Sequence, residues 1–213
     1  MTTSTAAALA LGLYLAGPIT AFCVRTWLHR LRTGSSGFRG LTGAPGSAEW
    51  WGGILFAAAL VLGTAGPLFA LTGVTPPWAL PAGTHWVGLV VTVAGLLGVL
   101  AAQSGMGTSW RIGVDATERT ELVTSGAFAF VRNPVFTAML AALAGMVLLA
   151  PTPVSAAAPL VLLAAVELQV RRVEEPYLLR TYGDIYARYA ARVGRFLPGI
   201  GRLKSSRRDE SRP

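Results

Sequence analysis

All 18 Lys and Arg residues lie in, or at the edge of, three polar stretches, and five apolar runs separate those stretches and the two uncharged connectors between them. The runs are Ala6 to Leu28, Trp50 to Leu71, Trp86 to about Gln103, Pro134 to Ala150 and Ser155 to about Arg172. A helix needs about 20 apolar residues to cross a bilayer, and cationic loops stay on the cytosolic side. The pattern therefore predicts an all-α integral membrane bundle of about five transmembrane helices, with its N-terminus outside and its C-terminus cytosolic. Only 13% of the 213 residues are charged, about half the share usual in a soluble domain, which leaves no room for a separate soluble catalytic domain.

The net charge of +8 is explained by topology and needs no nucleic acid. Cys23 is the single cysteine, which excludes an internal disulfide and a cysteine metal site. His29 and His85 stand too far apart in sequence to suggest a metal either. Residues 1–5 carry no charged side chain, so the first run reads as a retained anchor rather than a secretory leader. Residues 1–103 are read as a three-helix membrane scaffold, 104–200 as the functional core and 201–213 as a disordered basic tail.

Residues 104–133 form a polar segment too long for a simple turn, and long ordered loops carry function. It contains Trp110-Arg111, read as an interfacial marker, and the turn-prone Thr124-Ser125-Gly126. An aromatic stretch and Arg132-Asn133-Pro134 follow. Asn is a favoured N-cap and Pro suits the first helical position, so a membrane helix starts at Pro134 with the Arg132 guanidinium free at its mouth for a carboxylate or phosphate. Pro151 to Val154 reads as a tight hairpin connector. Beyond the fifth run, Leu178, Tyr182, Ile185, Tyr186, Tyr189 and Val193 recur at helical spacing, broken at Gly183. Two short helices lying on the cytosolic face are expected there, the second capped by Asp184.

If the last two spans form a hairpin, their inner ends meet. Arg132 and Asn133 then face Glu167, Arg171, Glu174 and Glu175, with Tyr177, Tyr182 and Tyr186 close by, and Arg132 and Glu174 become neighbours. An Arg for a carboxylate, a Glu for an ammonium or sulfonium and flat rings for a purine make a set sized for a zwitterion. Glu167 lies inside the fifth span, where an ionisable group marks a site; pairing with Arg171 at i+4 is the alternative.

The same residues carry a resemblance. Gly126, Phe128 to Phe130 and Arg132-Asn133-Pro134-Val135-Phe136, with Glu174-Glu175, Tyr182-Gly183, Tyr186, Tyr189 and Val193 to Pro198 further on, resemble the isoprenylcysteine carboxyl methyltransferases and their phospholipid methyltransferase relatives. The likeness covers roughly residues 104–200. It implies S-adenosylmethionine as cofactor, held by Gly126, Arg132, Asn133, Pro134, Glu174, Glu175, Tyr177, Tyr182 and Tyr186. Arg132, Asn133 and Glu167 are the catalytic candidates, and a lipophilic acceptor enters from the bilayer. Asn133 replaces the family's usual His and Phe136 its usual Tyr, which removes a proton acceptor and favours a carboxylate or thiol acceptor. Two other readings share part of the pattern: a sterol-reductase-like oxidoreductase using NADPH, and a non-catalytic lipid-binding scaffold.

Overall fold

Three helix starts are set by hydroxyl side chains that accept a hydrogen bond from the first turn: Thr2 from Thr5, Ser47 from Trp50 and Thr152 from Ser155. Each satisfies an amide that the helix leaves without a partner. The computed structural model describes residues 1–24, 26–27, 30–31, 34, 43–106 and 122–204. It is all-helical, with α1 Thr3–Pro18, α2 Ala48–Thr72, α3 Thr84–Gly105, α4 Pro134–Leu149, α5 Pro153–Gln169, α6 Glu175–Tyr182 and α7 Asp184–Arg192. A helix stands for each of the five expected spans, with ends that differ from those expected. Trp110-Arg111 and the basic tail after Lys204 lie outside the described residues.

Two helices carry a wide π turn at a proline. Past Pro18, α1 runs on as a π segment, Ile19–Val24, and α5 runs through Val170–Glu174 into α6, just ahead of Pro176. Proline lacks the N–H for the regular ladder and its ring crowds the carbonyl four residues back, and a π turn accommodates both. The fifth span therefore does not stop near Arg172 but stays helical from Pro153 to Tyr182.

Helix α4 packs most extensively on α3, and α5 on α2, so the two legs of the hairpin lean on other helices more than on each other. Both pairs are antiparallel and very close. A Cβ placed on Gly95 would meet the Ala142 amide nitrogen at 2.5 Å, and one on Gly145 would meet that of Thr92 at 2.5 Å. Gly52 faces Gln169, and Gly66 faces Ser155, in the same way. Small residues allow this approach where lipid offers no hydrophobic drive for association and packing must supply it. Helix α1 lies along α2, where the Tyr14 hydroxyl donates to the Leu60 carbonyl at 2.9 Å. Tyr14, Ala59, Leu143, Met146, Ala158, Leu162 and Val166 form the central apolar cluster.

Among the described residues, four helical segments are long and apolar enough to cross a bilayer, whereas α4 is shorter. Its 16 residues give about 24 Å of helix, against a hydrocarbon core of about 30 Å. The start of α4 is set back from the neighbouring helix end. Gly98 of α3 faces Ala138, and α3 continues seven residues past that level, to Gly105. Arg132 is thereby held within the bundle's charged end rather than projecting from it.

Candidate functional site

The backbone after α7 turns back on the start of α4. Val131 and Gly194 pair as an isolated parallel bridge; the Arg132 amide donates to the Gly194 carbonyl at 2.8 Å and the Asn133 amide to that of Arg195 at 3.1 Å. The Asn133 side chain does not cap its helix. Its Nδ2 donates to the same Arg195 carbonyl at 3.1 Å, so Asn133 marks the helix start by position, while its amide fixes the returning chain. The Thr137 hydroxyl adds a bond to the Phe196 carbonyl at 2.7 Å.

Under this return lies a buried ionic triad. Glu175 sits between two arginines: its Oε1 accepts from Arg132 Nη2 at 2.5 Å and from Arg195 Nε at 2.8 Å, and its Oε2 accepts from Arg195 Nη2 at 2.8 Å. The Arg195 contact is the two-pronged fork that suits guanidinium to carboxylate. All three residues are buried, Arg132 at 6% exposure and Glu175 at 5%. Arg132 also donates through Nη1 to the carbonyls of Ala190 at 2.9 Å and Val193 at 2.5 Å, and through Nη2 to that of Gly201 at 3.1 Å. The expectation of an open guanidinium is thus corrected. Four of its N–H groups are engaged, because the chain after α7 folds over it. Its Nε is buried without a hydrogen-bond partner, leaving one donor of five.

The acidic pair is divided. Glu175 points inward and Glu174 is half-buried in the π turn, so the inward partner of Arg132 is Glu175, not Glu174. Glu167 is ion-paired with Arg171 at i+4, partly exposed and outside the triad, although its charge still favours the protonated form of Arg195. Gly126 opens a short 3₁₀ turn, Gly126–Ala129, in the left-handed region at φ 60° that glycine tolerates. Pro134 is buried at the first position of α4. Tyr177 is buried on α6, and Tyr182 packs against the small cluster of Tyr186, Tyr189 and Ala190.

Within that cluster the Tyr189 hydroxyl donates to the Phe128 carbonyl at 2.6 Å, tying the turn before α4 to α7. Burial pushes its pKa up to about 12, against an opposing pull from Arg132. Burial also raises Tyr186, with Arg132 opposing. Both hydroxyls stay protonated at neutral pH, and that of Tyr189 serves as a donor. Arg195 is held more firmly protonated, first by its hydrogen bonds to Glu175, with burial working the other way. Its place in the triad was not foreseen. The sequence signal was Val193-Gly194-Arg195-Phe196, where a lone arginine after a glycine looks like any surface charge.

No cluster of His, Cys, Asp and Glu fit for a metal occurs among the described residues. Residues 83–185, just under half of the chain, match the family model described as phospholipid methyltransferase. That segment, which holds Arg132, Asn133, Pro134, Glu174, Glu175, Tyr177 and Tyr182, is similar to the phospholipid methyltransferases. No curated protein matches the chain at a significant level.

Proposed function

We propose that the protein transfers a methyl group from S-adenosylmethionine to a lipophilic acceptor at the charged end of its bundle, on the cytosolic side of the membrane. The observation that carries this reading is the phospholipid methyltransferase match over the segment that contains the site. The donor set fits the cofactor's zwitterionic end. The triad sets two guanidiniums against one carboxylate, and the buried Nε–H of Arg132 is unmatched. A carboxylate ligand supplies both the missing charge and the missing acceptor.

On this reading Arg132 offers Nε–H to that carboxylate, and Glu174 stands for the ligand's ammonium. Tyr177, Tyr182 and Tyr186 give apolar ring surface near the adenine, and Gly126, Asn133 and Pro134 shape the wall where the chain crosses α4. Glu175 and Arg195 are positioning residues: they hold Arg132 in place rather than touch the ligand. The cofactor supplies a methyl on a sulfonium, whose transfer demands alignment of acceptor, methyl and sulfur more than proton chemistry. Asn133 takes up no proton near neutral pH. A carboxylate needs none removed and a thiol reacts as its thiolate, so these acceptors suit the site better than an ammonium.

Glu167 separates two accounts of catalysis. Its exposed pairing with Arg171 is worth at most about 1 kcal/mol, so Glu167→Gln is expected to leave the melting temperature within a degree or two. If Glu167 acts on the acceptor, the same variant loses methyl transfer at least tenfold; unchanged turnover removes it from the catalytic set.

Thermal melting of the detergent-purified protein tests the cofactor. A ligand bound only by the folded form raises the melting temperature. S-adenosylmethionine and S-adenosylhomocysteine are expected to raise it and NADPH to leave it unchanged; a shift with NADPH alone moves the protein to the reductases.

A further inference from the structure

The centre of the bundle holds a cavity of about 170 Å³, walled almost wholly by carbon. Its lining comes from Tyr14 to Phe22 of α1 and its π segment, from Leu96, Val99 and Leu100 of α3, and from Met139, Leu143 and Met146 of α4, with α2 and α5 at the back. The local sequence of α1 accounts for it. Gly17 has no side chain, and a Cβ there would meet Leu96 Cδ2 at 2.6 Å, while Pro18 forces the wide π turn that follows. The turn's polar atoms are not left to attract water: Gln103 Nε2 donates to the Ala21 carbonyl at 3.2 Å, and the Thr20 hydroxyl to that of Ala16 at 2.8 Å.

Apolar cavities of about this size, near 150 Å³, stay dry and take up apolar guests such as benzene. Ala16 and Thr20, which line the cavity, are exposed on α1, so its rim faces the lipid between α1 and α3. The deep wall is formed by Leu143 at 7% exposure and Met146 at 3%. Along α4, Met139 stands six residues from Asn133, about 9 Å by helical rise. Phe196, which follows Arg195 of the triad, packs on the same apolar cluster as Tyr14, Leu143 and Met146. The cavity and the charged site thus lie at neighbouring levels of the same helix.

We propose that this cavity is a chamber for the end of a single hydrocarbon chain, admitted from the bilayer between α1 and α3. Its outer wall belongs to α1, which precedes the family-matched residues 83–185, so the chamber's size is set by this chain's own N-terminal helix. The chamber stands on its walls alone. That its occupant is the tail of the methyl acceptor rests on the proposed function.

The test places the full-length protein in phosphatidylcholine vesicles doped with a phosphatidylcholine that carries a photoreactive diazirine at the end of one acyl chain. After irradiation, labelled residues are mapped by mass spectrometry. Label is expected on inward-facing Met139, Leu143 or Met146 as well as on the lipid-facing Val90 and Leu97. Thr20→Phe, which fills the rim from an exposed position, is expected to reduce the inward label at least fivefold and leave the outward label unchanged. Inward residues without label, or inward label indifferent to Thr20→Phe, overturns the proposal. Neither outcome depends on methyl transfer. Inward labelling in a protein whose melting ignores both adenosyl ligands keeps the chamber and removes the methyl-acceptor reading.

Discussion

Replacing Glu175 with Gln is expected to destabilise the protein by about 3–5 kcal/mol, because removing one partner of a buried ion pair leaves the other charge without compensation. Here two arginines lose their shared carboxylate at once. Arg132 and Glu175 have side chains only 2% and 7% exposed, so water cannot take over the role. Arg195→Met removes a charge from the same triad, yet leaves Arg132 and Glu175 as a balanced pair. It is therefore expected to cost clearly less than Glu175→Gln, although it breaks a two-pronged contact. Thermal denaturation of the two variants in the same detergent checks the order. Equal losses, or a Glu175→Gln loss under about 1 kcal/mol as for exposed pairs, contradict a buried triad that staples the chain's return to α4.

The second large effect belongs to the close helix pair. Gly95→Ala puts a Cβ where the backbone of Ala142 and the carbonyl of Ala138 already lie within 2.8 Å. Backbone cannot rotate away as a side chain does, so α3 and α4 must separate. Overpacking of this kind costs about 1–3 kcal/mol, well beyond the helical gain of about 1 kcal/mol from replacing Gly by Ala. Gly12 and Gly105 have no atom within 4 Å of the same position. Gly12→Ala and Gly105→Ala are thus expected to be neutral or mildly stabilising. Melting temperatures that fall for Gly95→Ala and hold or rise for the two controls support the packing; a harmless Gly95→Ala contradicts it. The consequence reaches the site, since α4 carries Arg132 and Asn133 at its start.

What the sequence revealed depended on how each feature is encoded. The spans were readable because apolar run length is a direct physical requirement, and the break between α6 and α7 was readable because Gly183 adopts φ 52°, where glycine is the easy choice. The Glu167–Arg171 pair followed from i,i+4 spacing. The engagement of Arg132 did not follow, because three of its partners are the backbone carbonyls of Ala190, Val193 and Gly201. A carbonyl acceptor leaves no mark in residue identity. The choice of Glu175 over Glu174 turned on the π turn ahead of Pro176, which changes the facing of the helix without changing its composition. The cavity was hidden for a related reason: nothing in the identity of Gly17 and Pro18 tells which way the helix opens, and only the packed bundle shows that it opens inward.

These features give each part of the molecule a task. The glycine-lined helix pairs hold α4 in place, and the returning chain from Val193 to Gly201 closes over Arg132. The triad fixes Arg132 with its Nε–H left without a partner, while the apolar interior lies about two turns along the same helix. The arrangement suits an enzyme that joins a water-soluble donor to a membrane-borne acceptor. Positioning is the main demand of that reaction, and nearly every polar contact found here positions something.

The central claim is methyl transfer, and isotope transfer measures it most directly. The protein in lipid nanodiscs is given S-adenosylmethionine labelled in its methyl group, with phospholipids, prenylated thiols and isoprenoid acids offered in turn, and the organic phase is extracted. The account predicts label in an organic-soluble product with at least one of these acceptors, and loss of that label in Arg132→Lys. Label that stays wholly in the aqueous phase with every acceptor contradicts it.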